Sequence, residues 1–162
     1  MFSADDEKLE KADPSAANYS FNEFSELARR RVVPFNGTFL HELYFENLSG
    51  TPSSVSTVLK QELEKCFGSY DRFLALMKGC ASSTPGWVLL IWNTHQNRLS
   101  LDVVYEHHLG LSADAQVICA LDCWEHAFMI DYGTNKGDYL KAFIDNLNWN
   151  VVNKRFDSLH KK

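Results

Sequence analysis

Residues 86–106 read "GWVLLIWNTHQNRLSLDVVYE", and the class of fold turns on how they are taken. Two β-rich runs, Trp87–Asn93 and Arg98–Glu106, flank the polar tetrad "THQN" at 94–97. Short aromatic and branched runs on either side of a polar break predict a β-hairpin. A third run, "AQVICALD" at 115–122, has the same texture and predicts a third strand.

On both sides of these strands the apolar spacing is helical. Upstream, "SFNEFSELARRR" (20–31) carries Phe21, Phe24 and Leu27, with Ser20 as the expected N-cap and Glu23 three residues on, as in a capping box. "VVPFNGTFLHELYFENLSG" (32–50) predicts a longer helix with Phe39, Leu40, Leu43, Tyr44 and Leu48 on one side, stopped by Gly50. After the linker "SGTPSSVST", residues 55–82 predict two helices broken near Gly68. Residues 138–156 return to helical spacing through Tyr139, Phe143, Leu147 and Val151. Residues 1–20 are expected to hold a short helix and a turn. Helices, then three strands, then helices specify an α+β fold with an antiparallel sheet. The expected division is an N-terminal helical part at 1–52 and an α+β part at 53–162.

A chain of 162 residues is long enough to bury a sizeable core. Its net charge of −5 argues against a nucleic-acid or anionic-membrane surface. The apolar run "WVLLIW" is too short to span a bilayer, and "MFSADDEKLEK" is acidic where a secretion signal would be basic, so the expected compartment is the cytoplasm. Cys66, Cys80, Cys119 and Cys123 form no Cys-x-x-Cys pair and are expected to act as small apolar residues.

Just past the third strand lies "LDCWEHAFMIDYG" (121–133), which puts Asp122, Glu125 and His126 inside an apolar setting. Burying such groups unpaired is costly, so each needs a hydrogen bond, an opposite charge or a metal. His41, beside the apolar face of its helix, joins Asp122 and His126 as a possible ligand set. Two imidazoles and a carboxylate suit iron or manganese. Surface or core-satisfied roles compete for each residue taken alone. Glu125 could orient an imidazole or be a surface charge. "YEHHLG" (105–110) could bring His107 or His108 to the site or be a solvated loop. Trp87, Trp92, Trp124 and Trp149 are expected in the core.

The same stretch closely resembles the Asp-x-Trp-Glu-His-Ala-(Tyr/Phe) signature of iron/manganese superoxide dismutases. "FNGTFLHELYFENL" (35–48), "FGSYDRFLALM" (67–77), "TPGWVLLIW" (84–92) and "YLKAFIDNLNWNVVNKRF" (139–156) resemble further landmarks of that family, in order. The resemblance spans about residues 20–156. It implies conversion of superoxide to oxygen and hydrogen peroxide by one iron or manganese ion per subunit. It also implies that His41, Asp122 and His126 are three of four protein ligands. Trp87 and Trp124 would be aromatic walls, and His107 would sit near the position that bonds metal-bound water, unless the match slips to His108. Glu125 would bond His126 of the partner subunit in a homodimer. Two departures stand out: Met129 replaces a common Tyr, and no His precedes His41. The first ligand is therefore expected to be missing, the chain to begin downstream of that ligand's helix, and activity to be weak or absent. The alternative expectation is a non-catalytic subunit that keeps the fold within a larger assembly; a two-His-one-carboxylate iron oxygenase ranks last.

Overall fold

The computed structural model describes residues 4–160. The chain opens with α1 (Ala4–Lys11), a 3-10 turn at Pro14–Ala16, α2 (Glu23–Arg30) and α3 (Val32–Glu46). The cap of α2 is Asn22, whose side chain accepts the Ser25 amide hydrogen at 2.9 Å, rather than Ser20. Ser20 lies outside the helix, where its carbonyl accepts from Arg29 and Asn22. On α3, Leu40, Leu43 and Tyr44 are buried, whereas Phe39 is exposed. The helix ends at Asn47, before Gly50, because Leu48 leaves it to pair with Leu147 and Ser49 donates to the Asn146 carbonyl.

Next come α4 (Thr57–Phe67) and α5 (Tyr70–Ser82). Gly68 stops α4 with φ +91°, a left-handed value that favours glycine, and the Ser69 side chain then caps α5 by accepting from Arg72. Strands β1 (Trp87–Asn93), β2 (Arg98–Val104) and β3 (Ala115–Asp122) form an antiparallel sheet in the order β2–β1–β3. The expected α+β class and three-stranded sheet are both present. As the central strand, β1 is buried from Trp87 to Trp92, so its sequence is a continuous apolar run without alternation. α4 and α5 pack on β2, α5 also packs on β1, and α3 and α8 (Trp149–His160) pack on β3.

After β3 the chain makes a 3-10 turn at Glu125–Ala127 and continues into α6 (Met129–Tyr132), α7 (Lys136–Asp145) and α8. The single helical segment expected over 138–156 is in fact two helices. Their junction at 146–148 leaves the helical path, so that Leu147 can pair with Leu48 and the Asn148 amide can donate to the Asn47 carbonyl. Cys119 and Cys123 are buried, Cys66 and Cys80 are half-buried, and all four are free thiols. Among the described residues, no helix is long and apolar enough to cross a membrane.

Candidate metal centre

Asp122 is the last residue of β3, directly opposite Trp87 on β1. One residue further, the Cys123 amide donates to the Gly86 carbonyl at 2.8 Å, holding the strand end in place. The Trp124 amide then donates to Oδ1 of Asp122 at 2.9 Å, leaving Oδ2 as the free oxygen. The following 3-10 turn folds the chain back, bringing Nε2 of His126 to 3.1 Å from that Oδ2.

His41 arrives from α3. Its Nδ1 lies 2.6 Å from the carbonyl of Gly37, one helical turn earlier. A carbonyl only accepts, so Nδ1 carries the hydrogen and Nε2 of the neutral ring presents a lone pair. That Nε2 is 3.5 Å from Oδ2 of Asp122 and 3.3 Å from Nε2 of His126. One ligand atom from each of the three residues lies within 4.8 Å of the others. Bonds of about 2.1 Å to one ion at angles between octahedral and tetrahedral would separate neighbouring donors by ~3.0–3.4 Å. The observed spacings match that requirement closely.

Burial differs sharply across the set. The Asp122 side chain is 1% exposed, His41 30% and His126 59%, so the imidazole side is the open one. Burial pushes the Asp122 carboxyl above the usual carboxylate range, while the Trp124 amide and the two imidazoles pull it back. A bound cation would stabilise this carboxylate at the point where burial disfavours it. Burial also pushes the Cys119 and Cys123 thiols up to about 12, so neither offers a thiolate at neutral pH.

Around the three donors stand aromatic rings. Trp87 meets His41 edge-on, with ring centres 4.9 Å apart, and Trp124 stacks parallel to His126. The Trp87 indole N–H donates to Nδ1 of His107 at 3.0 Å. An indole nitrogen only donates, so neutral His107 carries its hydrogen on Nε2. Burial, with His41 nearby, holds the His107 imidazole below the usual histidine range. Asn36 of α3 donates to the His107 carbonyl at 2.7 Å and ties this loop to the His41 helix. The structure therefore brings His107 to the site, whereas His108 lies 3.7 Å from Glu106. Glu125 is exposed in the 3-10 turn and makes no side-chain hydrogen bond or ion pair among the described residues of this chain.

Sequence spacing missed the role of two phenols. Tyr139 of α7 donates to the Asp122 carbonyl at 2.7 Å, and its oxygen lies 3.2 Å from that of Tyr44. Both had only an apolar-face reading. The available signal was that a core Tyr needs a partner for its hydroxyl.

A sequence model of the family "Iron/manganese superoxide dismutases, C-terminal domain" matches residues 55–155. This chain belongs to the iron/manganese superoxide dismutase family. Similar curated proteins include an iron superoxide dismutase of Aquifex pyrophilus, 32% identical over 151 residues, covering 93% of this chain and 71% of that protein. A manganese superoxide dismutase of Haloferax volcanii is 32% identical over 146 residues, covering 88% and 73%. An iron superoxide dismutase of Sulfolobus acidocaldarius is 30% identical over 164 residues, covering 96% and 75%. As a dismutase-family member, the chain has its converging donors on α3, on the end of β3 and in the turn after it.

Proposed function

We propose that this chain is a superoxide dismutase-type metalloprotein that holds one iron or manganese ion through His41, Asp122 and His126. The observation that carries the proposal is the convergence of two imidazole nitrogens and one carboxylate oxygen in a member of the dismutase family. The relatives carry iron or manganese in their names, and the nitrogen–oxygen donor set suits either ion. Bound there, the ion would supply one-electron oxidation and reduction of superoxide, giving oxygen and hydrogen peroxide.

The chain's own residues define what the protein contributes. Asp122 supplies the negative charge, with one oxygen fixed by Trp124 and the other facing the imidazoles. The Gly37 carbonyl fixes the His41 ring and its tautomer, an outer contact of the kind that orients metal ligands. His107 holds a hydrogen on Nε2 beside the centre, and we assign it the role of hydrogen-bond donor to solvent or substrate there. Trp87 and Trp124 wall the site on two sides. Glu125 is assigned to His126 of the partner subunit, in a homodimer. The resemblance implies a fourth protein ligand, and among the described residues three donors converge. The proposal therefore includes turnover below that of a four-ligand centre.

Metal analysis of the purified chain, paired with a superoxide-consumption assay, tests this directly. Stoichiometric iron or manganese with measurable, metal-dependent consumption is the expected result. Metal-free protein that cannot be loaded, with no consumption, would instead favour a non-catalytic subunit of an assembly.

A further inference from the structure

Half-buried Arg155 of α8 and buried Asn47 at the end of α3 are polar groups that neither the aromatic wall nor the ligand set uses. Asn47 is fully buried, and each of its polar atoms is bonded. Its amide nitrogen Nδ2 donates to the Ala120 carbonyl of β3 at 2.7 Å, and its Oδ1 accepts from Nη1 of Arg155 at 2.7 Å. The same Nη1 donates to the Ile118 carbonyl of β3 at 3.1 Å. Nη2 of Arg155 reaches Glu46 at 2.7 Å and the Leu43 carbonyl at 3.4 Å. The two side chains thus join the end of α3 to alternate carbonyls of β3. Leu43 lies two residues beyond His41, and Ala120 lies two residues before Asp122 on the same strand.

We propose that Arg155 and Asn47 are positioning residues for the metal centre: their shared hydrogen bonds lock α3 against β3 and so set the distance from His41 to Asp122. This rests on reading His41, Asp122 and His126 as the ligand set. The physical requirement is tolerance, since functional constellations must be held within about 0.5 Å of their productive geometry by the residues behind them. A planar guanidinium with several fixed donors can bond both elements at once, which a lysine ammonium cannot reproduce.

The test uses Arg155→Lys, which keeps the charge but loses the planar donor fork, and the near-isosteric Asn47→Asp, with Leu63→Ala in the buried face of α4 as a destabilised control. Cobalt(II) is titrated into each metal-free full-length protein, following the visible absorption band that reports coordination geometry. Both clamp variants are expected to bind cobalt at least ~10-fold more weakly, the size of effect typical of outer contacts, with a shifted band. The control should keep the parent's affinity and band at an equal or larger loss of Tm. Parent-like affinity in both clamp variants, or equal weakening in Leu63→Ala, would overturn the proposal. Crystal structures of the metal-free parent and Arg155→Lys give an independent readout. The His41 Nε2 to Asp122 Oδ2 separation, 3.5 Å in the parent, is expected to shift by about 0.5 Å or more. If the parent takes up no cobalt, the ligand reading fails, and this separation alone decides the clamp: a shift supports it, and an unchanged distance refutes it.

Discussion

At Asp122 a carboxylate closes a buried strand with one oxygen held by a backbone amide and the other turned toward two imidazoles. Replacing it with Asn keeps the shape and the acceptor for Trp124 but removes the charge. Asp122→Asn is expected to lower iron or manganese affinity by ~100-fold or more, beyond the ~10–100-fold typical of outer contacts, read as metal retained after dialysis. The thermal midpoint of the metal-free protein at pH 7 should be kept or raised, since burial disfavours the carboxylate there. His107 gives a pH signature. Its folded value lies below its ordinary one, so the stability it contributes is present above about pH 6.5 and is lost as pH falls through the lower folded value. In His107→Gln the amide can still accept from Trp87 but does not titrate. Urea unfolding at pH 7.5 and pH 5 should then show a smaller acid loss of stability than in the parent. At this scale the sequence made Asp122 and His126 legible, because they sit four apart in one motif. It could not distinguish His107 from His108, since only the indole of Trp87 and the carbonyl held by Asn36 select the first.

Among the elements, the three strands were readable because each is a short run of apolar residues bounded by polar turns. β3 starts and stops where its sequence pattern does, at Ala115 and Asp122. The C-terminal end of α3 and the break at 146–148 were not readable, because they are set by pairing between Leu48 and Leu147, distant in sequence. Gly86 is the element-level residue with the least freedom. A Cβ there would collide with the carbonyls of Val104 and Tyr105, backbone atoms that cannot swing aside. Gly86→Ala is expected to destabilise the protein by about 1–3 kcal/mol, the usual cost of overpacking, measured by urea denaturation. Metal affinity should fall with it, because the Gly86 carbonyl also anchors Cys123 next to Asp122.

For the molecule as a whole, the open side of the centre carries His126 and the exposed Glu125. An isologous pairing of two copies through these residues would satisfy both. Glu125→Ala is accordingly expected to shift sedimentation toward the monomer and to reduce metal occupancy together. A dimer and metal content equal to the parent's would contradict that pairing. The convergence of α3 with the end of β3 depends on contacts between segments some 80 residues apart, so it was legible through the family resemblance and not in the spacing of any one stretch.

The Leu48–Leu147 pair carries a kinetic consequence. Contacts of such wide chain separation form slowly, because a long loop must close before they reward the closure. Until the segment around Leu147 has been made, the end of α3 lacks its bridge at Leu48, and the Asn47 carbonyl lacks its donor from Asn148. Final seating of the α3 end is thus a late event in the life of each newly made molecule, set by topology.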